Sequence, residues 1–298
     1  MPQLLKVKEQ LALYETNQKI ALAQPFLKWA GGKRQLLPEM KKYLPKKYNT
    51  YFEPFVGAGA LFFDQQPKNA VINDVNGELI NCYEVIKNLS IDLVEDLKKH
   101  KNTEKYFYKI RELDRTKEFK DLSSVERASR IIYLNKTCFN GLFRVNRQGQ
   151  FNAPFGSYNK PNIINSETIK AINLLLNRNS VEILNTDFAK AVATAKRNDF
   201  IYFDPPYDPI SDTASFTGYS SNAFGKSEQE RLRDLFDTLT RRGCKVMLSN
   251  SATDFITDLY RDYNIITIQA NRNINSVGSD RKKVDEFLIL NYVPDNDK

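Results

Sequence analysis

Phe200-Ile201-Tyr202-Phe203-Asp204-Pro205-Pro206-Tyr207 is the stretch on which the reading of this chain turns. Its first four residues are apolar, aromatic or β-branched without a break, the pattern of a strand buried on both faces in a parallel sheet. Two prolines then end the strand, because each fixes φ and removes a backbone donor. The acid and the tyrosine around them fall at the carboxyl end of the strand, where open α/β sheets bind ligands.

The same rhythm continues outward. Thr50-Tyr51-Phe52-Glu53 reads as a short strand broken by Pro54 and running into Gly57 and Gly59. Val71-Ile72-Asn73-Asp74 reads as a second strand ending on an acid, after which Leu79, Ile80, Tyr83 and Ile86 recur at helical spacing. Ser227-Glu228-Gln229-Glu230 is a capping-box pattern before a helix with Leu232, Leu235, Phe236 and Leu239 on one face, closed by Arg241-Arg242-Gly243. Strands over residues 245–248, 264–270 and 284–293 follow. Strand alternating with helix predicts an α/β fold with a doubly wound sheet.

The middle of the chain differs. Residues 92–121 are charged and Lys-rich. A helix capped by Ser123 or Ser124, with Val125, Ala128, Ile131 and Ile132 inward, should end at Asn140-Gly141. Residues 142–146 and 150–153, joined by Arg147-Gln148-Gly149, read as a β-hairpin. This segment is expected as an insertion: 24–90 and 165–294 form the sheet domain in two pieces, 91–164 the inserted unit, and 1–24 a charged lead-in.

Composition narrows the class of function. The 298 residues carry 44 Lys plus Arg against 36 Asp plus Glu, a formal charge of +8 that favours a polyanionic partner. Three distant cysteines (Cys82, Cys138, Cys244) match neither zinc spacing nor a disulfide framework, so no metal and a reducing, cytoplasmic setting are expected. Lys6, Lys8 and Glu9 interrupt what a signal peptide would need apolar, and no apolar run approaches the ~18 residues of a membrane span, so no membrane partner is expected. His100 is the sole histidine, in Lys98-Lys99-His100-Lys101, which argues against a Ser-His-Asp triad and a multi-histidine metal site. A solvated loop is expected for it.

Three motifs carry chemistry. In Asp204-Pro205-Pro206-Tyr207 the carboxylate and the proline carbonyls supply acceptors, and the tyrosine supplies a flat face for stacking a base. Two acceptors and an aromatic plate suit an exocyclic amine such as N6 of adenine, whose lone pair is delocalised into the ring. Bonds from both amine hydrogens to Asp204 and to the Pro205 carbonyl would localise that lone pair and aim it at an electrophile, by positioning and electrostatics alone. The second motif, Glu53-Pro54-Phe55-Val56-Gly57-Ala58-Gly59, is a turn that lets backbone approach a cofactor closely, with Asp74 at the end of the next strand placed for ribose hydroxyls. It lacks the full GxGxxG of dinucleotide binders. The third, Phe26-Leu27-Lys28-Trp29-Ala30-Gly31-Gly32-Lys33, holds the only Trp and a Gly pair but not the P-loop spacing.

Together these residues resemble the Dam family of DNA adenine-N6 methyltransferases, closest to its DpnII-type restriction-modification branch that modifies GATC. FLKWAGGKRQLLP, YFEPFVGAGALFF, LNKTCFNGLFRVN, FNAPFG and YFDPPYDPISDTASFT stand in family order over roughly residues 24–293. The resemblance implies S-adenosylmethionine as methyl donor, a Rossmann-like methyltransferase sheet, an inserted, mainly helical target-recognition domain carrying a β-hairpin, and double-stranded DNA as partner. It further implies a bacterial setting with a functionally paired restriction endonuclease. Trp29, Ala30, Gly31 and Lys33 would meet the cofactor, with Glu53 and the turn Phe55, Gly57 and Gly59 around its methionine part. Asp74 would hold the ribose, Asp187 and Phe188 would lie near its adenine, and Asp204 would sit between donor and target.

A base inside a duplex cannot reach such a pocket, so the target must be flipped out. The hairpin suits the major groove, and the family pattern makes Arg144 a guanine reader. Phe139 and Asn140 would form a wedge filling the stack; relatives carry Tyr for Phe139 and Arg for Ser157. DNA contact extends by resemblance to Lys28, Leu142, Asn152, Pro154 and Tyr158. Loop 208–226 should fold over the flipped base with Ser211, Thr213 and Phe216, and loop 271–283, with Arg272, Arg281, Lys282 and Lys283, should track phosphate. An N4-cytosine methyltransferase poses the same chemical problem, although the Dam-like recognition segment favours adenine. A catalytically silent DNA-binding relative would not need Asp204 and Tyr207, and an RNA methyltransferase is a further alternative.

Overall fold

Successive residues of Phe200–Phe203 face opposite sides of a sheet, and both sides are packed. Phe200 and Tyr202 belong to one hydrophobic cluster, and Ile201 and Phe203 to another. In the computed structural model, which describes residues 19–29, 33–146, 148–209, 224–271 and 283–294, the strands are β1 (Tyr51–Glu53), β2 (Asn69–Asn73), β3 (Ser180–Leu184), β4 (Phe200–Phe203), β5 (Lys245–Ser251), β6 (Asn264–Asn271) and β7 (Lys283–Leu290).

They form one sheet in the order β3-β2-β1-β4-β5-β7-β6. The first five are parallel, and β7 runs antiparallel between β5 and β6. From β1 the chain builds outward to β3, then returns to β4 on the other side of β1. The strand order therefore reverses between β1 and β4, and the crevice outside their carboxyl ends is the topological switch point where such sheets bind ligands. Glu53 and Asp204 stand at that point. This is the Rossmann-like methyltransferase architecture expected from the sequence.

The helices are α1 (Leu37–Met40), α2 (Ala60–Gln65), α3 (Gly77–Asn88), α4 (Ser90–Leu97), α5 (Glu104–Glu112), α6 (Ser124–Thr137), α7 (Ser166–Arg178), α8 (Phe188–Ala191), α9 (Lys226–Arg241) and α10 (Asp254–Leu259). One sheet face is covered by α3 and α7, onto which α4 and α6 pack; the other is covered by α8, α9 and α10. Among the described residues no helix is long and apolar enough to cross a membrane.

Several expectations need correction. The capping box opening α6 forms as expected, with Ser123 Oγ accepting from Glu126 N and the Glu126 carboxylate accepting from Ser123 N. The one expected at Ser227 does not, because α9 already starts at Lys226 behind Gly225 and Ser227 lies inside the first turn. The charged stretch 92–121 is largely helical, with Leu93, Leu97, Phe107 and Ile110 hidden beneath its lysines in the same cluster as Ile72 and Tyr202. The segment 91–164 thus shares a core with the sheet.

His100 is half-buried and partnered, not freely solvated. Its ring stacks on Tyr133 at 4.3 Å and bonds Tyr106 Oη and Ser129 Oγ, each at 3.0 Å. Burial depresses its pKa to about 4, so the imidazole is neutral. The hairpin is also slighter than two full strands: among its described residues the ladder is one bridge, Val145 with Phe151, flanked by Asn146 N to Gln150 O and Asn152 N to Arg144 O, with a second bridge, Cys138 with Phe155, at its base. Pairing this short cannot hold a hairpin without outside support.

Candidate active site

Four loops meet at the carboxyl ends of β1, β2, β3 and β4, and buried polar side chains tie them together. Asn73, the last residue of β2, donates to the carbonyls of Pro54 and Thr186 and accepts from Thr186 N. The Phe55–Gly59 turn after β1 needs left-handed backbone at Gly57 (φ 49°) and Gly59 (φ 70°). A Cβ on Gly57 would lie 3.1 Å from Trp29 Cδ1, and one on Gly59 would lie 2.8 Å from Tyr83 Oη. Phe55 is half-buried against Phe188 and Phe224.

Asp74 stands one residue beyond β2. Its two oxygens accept from Gly57 N (3.1 Å) and Asn76 N (2.9 Å), so the same carboxylate braces the glycine turn and the start of α3. Burial raises its pKa to about 6 against the pull of these amides. Asp187 caps α8 through Ala189 N and pairs with Arg231, whose guanidinium lies 4.1 Å over the Phe188 ring. Ala30, Gly31 and Gly32 lie outside the described residues.

At the end of β4, Asp204 Oδ1 pairs with Lys33 Nζ at 2.9 Å. Lys33 is only 4% exposed, an unusual setting for a lysine without a reason to be inside. Its ammonium also lies 4.5 Å from the centroid of the Tyr207 ring, over one face. Tyr207 Oη donates to Glu286 on β7 at 2.8 Å. Burial raises the Asp204 pKa, Lys33 opposes that, and Glu286 adds to it. Glu53, wholly buried, accepts from Tyr51 Oη at 2.7 Å, and burial, reinforced by the nearby Asp204, lifts its pKa to about 8. It is therefore mostly protonated at neutral pH.

The two proline carbonyls are not equivalent, contrary to the expectation that both face the site. Pro206 O accepts from Gln229 Nε2 on α9 at 2.9 Å. Behind it lies a buried polar web that sequence reasoning missed. Asn250 Oδ1 on β5 accepts from Asp208 N, Asn250 Nδ2 donates to Gln229, and Thr253 Oγ1 donates to Asp208 Oδ2. Glu286 was missed too. The available signal was polar residues inside otherwise apolar strands, Ser249-Asn250-Ser251 and Glu286, where burial demands partners.

The residues expected at DNA cluster beside this crevice. Trp29 stacks on Phe143 at 4.4 Å, which joins the glycine turn to the hairpin. Asn135 in α6 clamps both backbone groups of Lys28 and also donates to Gly141 O. Phe139 is 56% exposed, and the adjacent Asn140 holds φ 57°. Leu142 and Tyr158 are half-buried, Pro154 and Lys28 are exposed, and Lys28 Nζ lies 5.7 Å over the Tyr158 ring. Arg144 is exposed and held by Asn152 through Nε to Oδ1 (2.7 Å) and Nη2 to O (3.0 Å). Ser211, Thr213, Phe216, Arg272, Arg281 and Lys282 lie outside the described residues, and Lys283 begins β7.

Comparison with known proteins agrees with this geometry. The model of a family described as D12 class N6 adenine-specific DNA methyltransferase matches residues 29–274. Type II methyltransferase M1.LlaDCHI of Lactococcus lactis subsp. cremoris is 48% identical over 271 residues, covering 90% of this chain and 95% of its own. Type II methyltransferase M.MjaIII of Methanocaldococcus jannaschii is 40% identical over 289 residues (90% and 99%). DNA adenine methylase of Escherichia coli K12 is 36% identical over 278 residues (90% and 95%).

Proposed function

Because the chain belongs to the D12 class of N6 adenine-specific DNA methyltransferases, we propose that it uses S-adenosylmethionine to methylate a flipped adenine within GATC, protecting DNA from a paired restriction endonuclease. The observation that carries this reading is the Asp204–Tyr207 tetrapeptide at the β1/β4 switch point, beside the glycine turn braced by Asp74. A left-handed glycine turn facing an anchored acid fits a nucleoside with a charged tail, which supports this cofactor. Trp29, Lys33, Glu53, Phe55, Gly57, Gly59, Asp74, Asp187 and Phe188 would hold it, and once bound it supplies a methyl group on a sulfonium sulfur.

The chain's own residues do the rest. Tyr207 stacks the flipped base. Asp204 accepts one amine hydrogen and the Pro205 carbonyl the other, since the Pro206 carbonyl is engaged by Gln229. Both bonds direct the nitrogen lone pair out of conjugation and toward the methyl group. Residues 24–90 and 165–294 are assigned to catalysis and 91–164 to target recognition. There Arg144 reads guanine and the exposed Phe139 fills the space left by the base. The protein would act in the cytoplasm, where its DNA lies.

Plasmid DNA from cells expressing the chain, digested with one enzyme cutting only methylated GATC and another cutting only unmethylated GATC, tests this directly. Modified sites are expected. Unmodified GATC alongside methyl transfer to other DNA would overturn the assigned sequence.

A further inference from the structure

Among its described residues the recognition hairpin has one bridge of its own, with a second, Cys138 with Phe155, at the base of its arms; both backbone groups of Phe151 are pinned from outside it. Asp114 lies in the 3₁₀ turn Leu113–Arg115 that follows α5. Its Oδ2 accepts from Phe151 N at 2.7 Å, and Arg115 Nη2 donates to Phe151 O at 2.9 Å. Asp114 Oδ1 pairs with Arg115 Nη1 at 2.7 Å, so the two side chains form one unit that mimics a neighbouring strand. The unit is anchored in the core. Arg130 of α6, 2% exposed, pairs with Asp114 Oδ2 at 2.8 Å. Its Nε donates to Ile110 O (2.9 Å), and the same Nη2 that meets Asp114 donates to Arg111 O (2.7 Å), at the carboxyl end of α5.

On the hairpin side the path is equally short. Phe151 bridges Val145, Asn152 N donates to Arg144 O, and Asn152 carries the Arg144 guanidinium. A one-residue slip in a hairpin moves every side chain to the opposite face, and a ladder of one bridge resists slipping weakly.

We propose that Asp114, with Arg115, is the positioning residue that sets the register of this hairpin, and so the direction of Arg144, determining sequence selectivity without touching DNA. This rests on the reading that Arg144 contacts a base. The test measures kcat/KM for methyl transfer to a GATC duplex and to duplexes with one base pair of GATC replaced. The readout is their ratio, which does not depend on the fraction of protein folded.

Asp114→Asn and Arg115→Met should each lower the ratio about tenfold, part of the discrimination one bidentate arginine provides. In an Arg144→Ala background neither should lower it further, because their effect passes through that side chain. An unchanged ratio in both single variants, with Arg144→Ala relaxed, overturns the proposal and leaves Arg144 as reader. A further loss in the Arg144→Ala background also overturns it. If Arg144→Ala itself leaves the ratio unchanged, the base-reading assignment fails instead.

Discussion

Lys33→Met should cripple the enzyme through the protonation state of Asp204, not through loss of fold. The ammonium sits 2.9 Å from a carboxylate that burial and Glu286 both push toward protonation. At that distance, with an effective dielectric of about 20, the pair is worth at most ~6 kcal/mol. The Asp204 side chain is 20% exposed, so water weakens the attraction; half the bound, ~3 kcal/mol, is a reasonable expectation. That corresponds to about a hundredfold loss of the carboxylate form at a pH where it was just sustained. The carboxylate accepts the amine hydrogen far more strongly than the neutral acid does, so kcat should follow its population. Removing the cation raises the Asp204 pKa further, and activity, present above that pKa, is lost at a higher pH as the pH falls. The assay is kcat against pH with saturating duplex and S-adenosylmethionine, in Lys33→Met and wild type. An acid limb at the same pH in both, with kcat lowered equally throughout, would refute this electrostatic role.

Three further outcomes are expected. Glu53, protonated up to about pH 8 in the fold but only to about 4.5 when unfolded, makes stability decline as pH rises through that window. Urea denaturation of Glu53→Gln should lack the decline. His100 has its pKa depressed to about 4 by burial against 6.5 unfolded, so stability falls as pH drops through that interval. His100→Gln, which keeps polar contacts without a titrating ring, should flatten that limb of a thermal-melt series. Asn250→Ala strands Asp208 N and Gln229 Oε1 in the interior and should cost about 1–3 kcal/mol in denaturant titration. It should also lower kcat more than it raises KM for DNA, because the web holds the Pro206–Asp208 backbone.

Much of this molecule could be read along the chain because the relevant signals are local. A strand buried on both faces must be apolar throughout, so β4 was plain from Phe200–Phe203, and a proline pair can only end it. Glycines at 57 and 59 marked a turn that lets backbone approach a cofactor closely, and the acid ending β2 followed from its place beyond an apolar run. The site's location followed as well, because ligands of open sheets gather where strands end.

Tertiary structure settled what depends on partners distant in sequence. Periodicity could not reveal that lysine-rich helices around 92–121 bury Leu93 and Phe107 beneath them, because charge on the outer face masks the inner one. It could not pair Lys33 with Asp204, far apart in the chain, or Tyr207 with Glu286, a contact that exists only once β7 inserts between β5 and β6. Nor could it show that one proline carbonyl is spoken for by Gln229. Local conformation is a property of neighbours in sequence, whereas the charge state of a buried group depends on every dipole folded around it.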